Sequence, residues 1–245
     1  MTYPKYKNKH LEEALWGPKD SPKFDKNKAS KLPKKYIIFY GDVVNRVLRK
    51  LKLKKSKIKL WGCDFYWFKD IGIIRMKGIG SPHAVAVFES LIALGGKEFL
   101  NIGFAGGLHK EGFFLCKKAL RDEGTSYHYV SQGDFSYPDN KLTDKLGRTM
   151  MKMGIRYEDC ISWTIDAPFR ETKAEIEKYS KEGISTVEME TSALFAVATL
   201  RKVKIASAFV VSDVLRKDKW EYKYHKFNVK KSIDKLFDVA VETLR

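Results

Sequence analysis

Three times in the first half of the chain a short apolar run stops at glycine. Tyr36-Ile37-Ile38-Phe39-Tyr40 ends at Gly41-Asp42, Ile71–Met76 leads into Gly78-Ile79-Gly80, and Phe99–Phe104 runs into Ala105-Gly106-Gly107. Runs of five or six apolar residues have the length of a buried strand and are too short for a helix of ordinary length. A helical pattern follows the first, from Val43 to about Leu53, and the second, from Ser81 to about Leu94. There Ser81 can cap the helix and Pro82 fits its first position. Strands alternating with helices predict an α/β fold, a three-layer sandwich whose central mixed, twisted sheet is flanked by helices. Ligands of such sheets bind beyond the C-terminal strand ends, where glycine lets backbone come close. Any one of these glycine turns is explained as well by a tight turn alone; three in one fold shift the balance toward a site.

The rest of the chain continues the alternation. Phe65–Phe68 reads as a strand, as does Lys57–Trp61, and helices are expected near Asn140–Met153 and Glu171–Lys181. Strands are expected near Cys160–Ile165 and leading into Val187–Glu190. The helix Thr191–Arg201, the strongly apolar strand Ile205–Val211 and an amphipathic helix from about Val229 to Leu244 close the chain. With 245 residues, no repeat and no linker, one core accounts for residues 36–245. Residues 1–35, rich in Lys, Pro, Asn and Ser, are expected to form a basic arm on the surface or on a neighbouring subunit.

The net charge is +17, and residues 1–60 hold 18 Lys and Arg against 5 Asp and Glu. Such an excess can mark a nucleic-acid or membrane surface. No nucleic-acid motif accompanies it, so a solvated lysine-rich face is the reading taken, with attraction of anionic substrates as a side benefit. No apolar run approaches the ~20 residues that cross a bilayer, and the N-terminus lacks the apolar core of a secretory signal. A cytoplasmic enzyme is the expectation. Cys63, Cys116 and Cys160 match no metal or disulfide spacing and read as reduced and structural, and the five histidines pair in no metal motif.

Two acidic segments could carry chemistry. Glu188-Met189-Glu190 stands between a strand and a helix, where a carboxylate can accept two hydrogen bonds from a vicinal diol such as that of ribose. Glu190 at the positive end of the following helix explains the segment equally well. Ser212-Asp213 ends the apolar strand, and a carboxyl beside apolar walls can act as a general acid. Asp213 as a helix cap is the other reading.

Taken together, Gly41-Asp42, Gly78-Ile79-Gly80-Ser81-Pro82, Asn101-Ile102-Gly103-Phe104-Ala105-Gly106-Gly107-Leu108, Val187-Glu188-Met189-Glu190 and Val211-Ser212-Asp213 resemble, in order and spacing, the nucleoside phosphorylase family. That family includes hexameric purine nucleoside phosphorylases, uridine phosphorylases and methylthioadenosine nucleosidases. The resemblance runs from about Tyr36 to the C-terminus, and the Val-Glu-Met-Glu segment followed by Ser-Asp is its most specific part. It implies that Met189 and Glu190 hold the ribose with Glu188 beside them, and that Phe169 packs on base or sugar. It also implies that Asp213, with Ser212, faces N7 of a purine; uridine phosphorylases lack this aspartate. Family members need no cofactor or metal and assemble as dimers or hexamers. A homo-oligomer is therefore expected, with the aromatic Trp61–Phe68 stretch as a contact or simply a buried strand pair.

The phosphate subsite departs from the family. Gly41 is kept, but the arginine expected four residues later aligns with Asn45, with Arg46 adjacent. The arginine expected before the Ile-Gly step is Asn101, the Ser/Thr position is Phe104, and the arginine a neighbour would lend is Cys63. Three readings follow in order. The first is a phosphorylase with phosphate as co-substrate, held by rearranged groups such as Arg46. The second is a hydrolase, since Ala105-Gly106-Gly107-Leu108 resembles the nucleosidase turn, although the acid expected near the first glycine turn is replaced by Arg46. The third is a non-catalytic nucleoside binder.

Overall fold

Ile37, Ile38 and Phe39 are buried on both faces, and the strand that they form, β1 (Lys35–Tyr40), is paired on both edges. Its neighbours are β3 (Ile71–Met76) and β4 (Glu98–Gly107), both parallel to it. The computed structural model describes residues 3–21, 29, 31–40, 53, 55, 56, 58, 60, 62–216, 219–222 and 227–245. Gly41, Asp42, Asn45, Arg46 and the helix expected from Val43 lie outside the described residues, as does most of the strand expected at 57–61.

The remaining strands are β2 (Cys63–Phe68), β5 (Phe113–Asp122), β6 (Phe135–Ser136), β7 (Glu158–Ile165), β8 (Ile184–Glu188), β9 (Lys204–Arg216) and β10 (Lys219–Tyr222). Together they form one mixed sheet in the order β10-β9-β5-β7-β8-β4-β1-β3-β2, with β6 paired to β5 off that path. Because β9 also pairs along β4, the strands β4, β9, β5, β7 and β8 close into a ring. The sheet is therefore curled at one end and open at the other, where β2 is the edge.

Helices α1 (Ser81–Ala93) and α4 (Thr191–Arg201) cover one face, against Tyr36, Ile38, Phe99 and Phe209. Helices α2 (Asn140–Lys152) and α5 (Phe227–Leu244) cover the other, against Ile37, Phe39, Leu100 and Ile102. This is the expected three-layer arrangement. Helix α4 is buried from Thr191 to Ala198, as expected of a helix apolar nearly all round. In α5, Val229, Ile233, Leu236, Phe237 and Ala240 recur at helical spacing and pack inward, with Phe237 edge-on to Phe39. Helix α3 (Lys173–Lys181) closes the ring end over Trp163, Ile184 and Val187. Among the described residues no helix is long and apolar enough to cross a membrane.

Four local expectations need correction. Ala105-Gly106-Gly107 is not a turn but the end of β4, and its register against β9 shifts between Ala105 and Gly106. Glycine is needed at 106 because a Cβ there would lie 2.5 Å from Leu215 Cδ1 and 2.9 Å from Val187 Cγ1. Strand β5 was not anticipated at all; Lys117 and Lys118 interrupt its apolar pattern where its register against β7 slips. Ser81 does not cap α1: the N-cap is Gly80, whose φ of 95° suits glycine, and Ser81 is the first helical residue. Helix α3 starts at Lys173, because Thr172 and Glu175 form a reciprocal capping box that leaves Glu171 outside. At the N-terminus, the Tyr3 hydroxyl is 2.6 Å from His128 Nε2, and Gln132 Nε2 donates to the Tyr3 carbonyl.

Candidate active site

The C-terminal ends of β1, β4, β8 and β9 meet around a cavity of about 310 Å³. Tyr40, Asn101, Gly103, Ala105, Phe209 and the segment Val187–Glu190 line it together with Ser212, Asp213 and Leu215.

Glu190 is the residue before α4, yet its side chain makes no cap bond to that helix. Its Oε1 instead accepts from the Gly80 amide at 2.6 Å, across the cavity wall. The helix-end role falls to Glu188. Its Oε2 accepts from the amides of Glu190 and Thr191 at 2.9 and 2.7 Å, and its Oε1 from the hydroxyls of Thr164 and Ser162 at 2.5 and 3.2 Å. Four protein donors saturate this carboxylate. Glu188 borders the cavity beside Met189 and Glu190, and its four donors place it to hold that segment. Ser81 Oγ donates to the Met189 carbonyl at 2.8 Å, so the loop before α1 is fastened to the same segment.

Burial, then the charge of Glu188, pushes the Glu190 carboxyl up to about 8 against the pull of the Gly80 amide. Burial raises Glu188 as well, opposed by its donors. Glu171 is pushed up to about 7 by burial, then by Asp213 and Glu175. An acid with a raised folded pKa stabilises the fold fully below its unfolded value, about 4.5 here, and loses that contribution as pH rises through the folded value. The unliganded protein should therefore lose a few degrees of melting temperature between about pH 5 and pH 8. Scanning calorimetry across that range checks this; Glu190→Gln should flatten the slope, and a profile that rises with pH in the wild type would contradict it.

Asp213 is not a helix cap, since it lies within β9. The bulge opposite Ala105 and Gly106 accommodates Ser212 as the extra residue and turns Asp213 toward the cavity. Ser212 Oγ donates to Asp213 Oδ1 at 2.7 Å and Trp220 Nε1 donates to Oδ2 at 2.8 Å. Trp220 reaches it because β10 folds back antiparallel, placing Tyr222 opposite Asp213.

Phe169 is not brought to the site. It is 99% exposed on the short turn Pro168–Arg170 and does not line the cavity, whereas its neighbours Pro168 and Glu171 do. The phosphate candidates divide. Asn101 is on the wall and 2% exposed. Its Nδ2 donates to Ser207 Oγ at 3.2 Å and Thr191 Oγ1 at 3.3 Å, while Oδ1 has no partner among the described residues. The buried hydroxyl of Tyr40 is likewise without a partner among the described residues. Phe104 borders the cavity, but its ring packs against the α2 and α5 cluster, as alternation along β4 from Asn101 and Gly103 dictates. Cys63 is buried and does not line the cavity; burial and Asp64 push its thiol up to about 12. Gly41 and Arg46 are outside the described residues.

Sequence reasoning missed Tyr40, Glu171 and Trp220. Tyr40 could have been found as the last residue before Gly41; the other two carried no pattern signal. Among the described residues, no three His, Cys, Asp or Glu side chains group to hold a metal ion.

The sequence pattern of the phosphorylase superfamily matches residues 67–245. The chain is 31% identical over 142 residues to a purine nucleoside phosphorylase of Plasmodium falciparum, a stretch covering 55% of this chain and 58% of that protein, less than two thirds of its length. Two solved structures show the same fold. The AMP nucleosidase from Bacteroides thetaiotaomicron superposes with a TM-score of 0.74 at 18% identity, over 91% of this chain and 94% of that one. The purine nucleoside phosphorylase from Toxoplasma gondii in complex with immucillin-H gives 0.75 at 17% identity, over 95% and 97%.

Proposed function

The chain belongs to the phosphorylase superfamily, and on that premise we propose that it cleaves the N-glycosidic bond of a purine nucleoside. One arrangement carries this reading: Glu190, ahead of α4, and Asp213, within β9, are two carboxyls that face a single cavity. Cleavage builds positive charge on the sugar and negative charge on the departing base. Glu190, held by the Gly80 amide, is placed to accept from the ribose hydroxyls, and in its ionised form it also stabilises the positive sugar. Asp213, oriented by Ser212 and Trp220, gives the purine N7 a proton or a strong hydrogen bond. A purine is favoured over a pyrimidine because the uridine-specific relatives lack this aspartate.

Phosphate is the acceptor in the first reading. Gly41 and Arg46, which follow Tyr40 out of the cavity wall in sequence, are the groups this chain would bring to it. Water is the second reading, and a specific observation favours it. Among the described residues the wall holds Glu171, Glu188, Glu190 and Asp213 but no Lys, Arg or His. A phosphate dianion needs cations or multiple donors, whereas the free Asn101 Oδ1 suits the donor that a water supplies. The sugar product decides between them. With a purine nucleoside and saturating phosphate, ribose 1-phosphate identifies phosphorolysis. Free ribose, formed at a rate independent of phosphate, identifies hydrolysis. Tight nucleoside binding with neither product would overturn the catalytic reading.

A further inference from the structure

Two residues of the cavity wall, Asn101 and Tyr40, each hold a buried polar atom that has no hydrogen-bond partner among the described residues. Asn101 is on β4, opposite Ile38 of β1 and Ser207 of β9. Its Nδ2 spends both hydrogens, one on Ser207 Oγ and one on Thr191 Oγ1. The Thr191 hydroxyl in turn hydrogen-bonds to the Glu188 carboxyl and pulls it down, so its proton points there and its lone pairs face Asn101. The amide is thereby oriented, and Oδ1 is its one free group, an acceptor only. An unmet acceptor this deeply buried calls for a ligand that brings a hydrogen.

Tyr40 ends β1, and its ring lies over Gly103, where a Cβ would come within 3.3 Å of Tyr40 Cδ2. Asn101 and Gly103 share one face of β4 by strand alternation, so the ring and the amide belong to the same stretch of wall. Burial, then the charges of Glu190 and Glu188, push the Tyr40 hydroxyl up. It therefore keeps its proton, and can donate one bond and accept another. Neither Tyr40 nor Asn101 carries a charge. Asp213 is at the other end of the cavity: it pairs with Gly106, five residues farther along β4 than Asn101, or about 16 Å of strand. A nucleophile that displaces a base reaches C1′ from the side of the sugar away from that base. With the base at Asp213, the wall at Asn101 and Tyr40 is on that side.

We propose that Asn101 and Tyr40 form an uncharged subsite that holds a water molecule as the acceptor of the sugar and does not take phosphate. The inference rests on the reading above, in which this cavity cleaves a nucleoside with its base at Asp213. The water donates one hydrogen to Asn101 Oδ1 and accepts from Tyr40 Oη, which leaves a lone pair for C1′. A phosphate dianion has no hydrogen to give Oδ1, so it would leave that acceptor unmet and set two acceptors against each other. In the step itself the bond from C1′ to the base nitrogen breaks, and its electron pair leaves with the purine, which takes the proton of Asp213. A bond forms from the water oxygen to C1′. The proton that the water loses passes through solvent and replaces the one given up by Asp213.

Turnover and crystallography test the subsite separately. The wild type should form free ribose at a rate that phosphate does not change. Tyr40→Phe keeps the ring over Gly103 and should slow ribose formation about tenfold, the worth of one hydrogen bond. With methanol added as a competing acceptor, the same variant should raise the ratio of methyl riboside to ribose, because the group that positions water is gone. A purely structural role for Tyr40 would lower both products in proportion. An unchanged ratio, or ribose 1-phosphate from the wild type, overturns the assignment. A crystal structure of the unliganded protein grown with inorganic phosphate should show a water within hydrogen-bond reach of both Asn101 Oδ1 and Tyr40 Oη. Phosphate bound at Asn101, or no water there, overturns the subsite even if no nucleoside is turned over. Absence of base release by the wild type would count against the nucleoside reading, and the crystal would still decide the subsite.

Discussion

Asp213→Asn is expected to lower the rate of purine release by about 10²–10⁴-fold, the usual worth of a positioned general acid. The substitution keeps the size of the side chain but removes both the proton and the charge. It also turns one acceptor into a donor, and both oxygens of Asp213 receive hydrogen bonds, from Ser212 Oγ and Trp220 Nε1. Ser212 can reverse its hydroxyl, whereas the indole can only donate. The amide oxygen of the variant can therefore accept from the indole while its nitrogen donates to Ser212 Oγ, so both bonds are kept and the loss of rate reports the carboxyl itself. Pre-steady-state base release measured by rapid quench checks this, and wild-type rates from Asp213→Asn would remove Asp213 from the mechanism.

The second large effect is expected at Glu190. Replacing it with Gln should cost about 10²-fold in kcat/KM, equivalent to two charge-assisted hydrogen bonds at the low end of ~1.5–3 kcal/mol each. The pH dependence supplies a sharper signature. Because the carboxyl is held up near 8 in the empty site, a ribose diol that prefers the ionised form must displace a proton on binding. Nucleoside affinity should then rise with pH from about 6 to about 8, by up to tenfold per unit. In Glu190→Gln the affinity should be lower and flat over the same range. Calorimetric titration with a non-hydrolysable nucleoside analogue in two buffers of different ionisation enthalpy reads the proton release directly. An affinity that falls with pH would place the ribose elsewhere.

Much of this architecture was legible in the residues, because it depends on periodicity and on short-range geometry. β3, α1 and α4 are found within a residue of where Ile71–Met76, Ser81-Pro82 and Thr191–Arg201 place them. The segments Val187–Glu190 and Ser212-Asp213 do converge on one cavity. What escaped depends on contacts between distant parts of the chain. The division of labour between Glu188 and Glu190 is set by Thr164 and Ser162 on β7 and by Gly80 before α1, none of which their local sequence reveals. β5 was hidden because Lys117 and Lys118 fall where the register slips, breaking the apolar alternation. Gly106 reads as a turn glycine in sequence, yet it is required by the approach of Leu215 and Val187. Phe169 shows the opposite failure, a motif match whose side chain stands in solvent. Trp220 is brought to Asp213 by the β9–β10 hairpin, and Glu171 reaches the same cavity on the turn before α3.

The most direct test is release of free base from adenosine, inosine, guanosine and uridine, followed by chromatography in the presence of phosphate. Release of adenine, hypoxanthine or guanine well above any release of uracil is the predicted result. Uracil released in preference to every purine base, or no base from any of the four, would contradict the account.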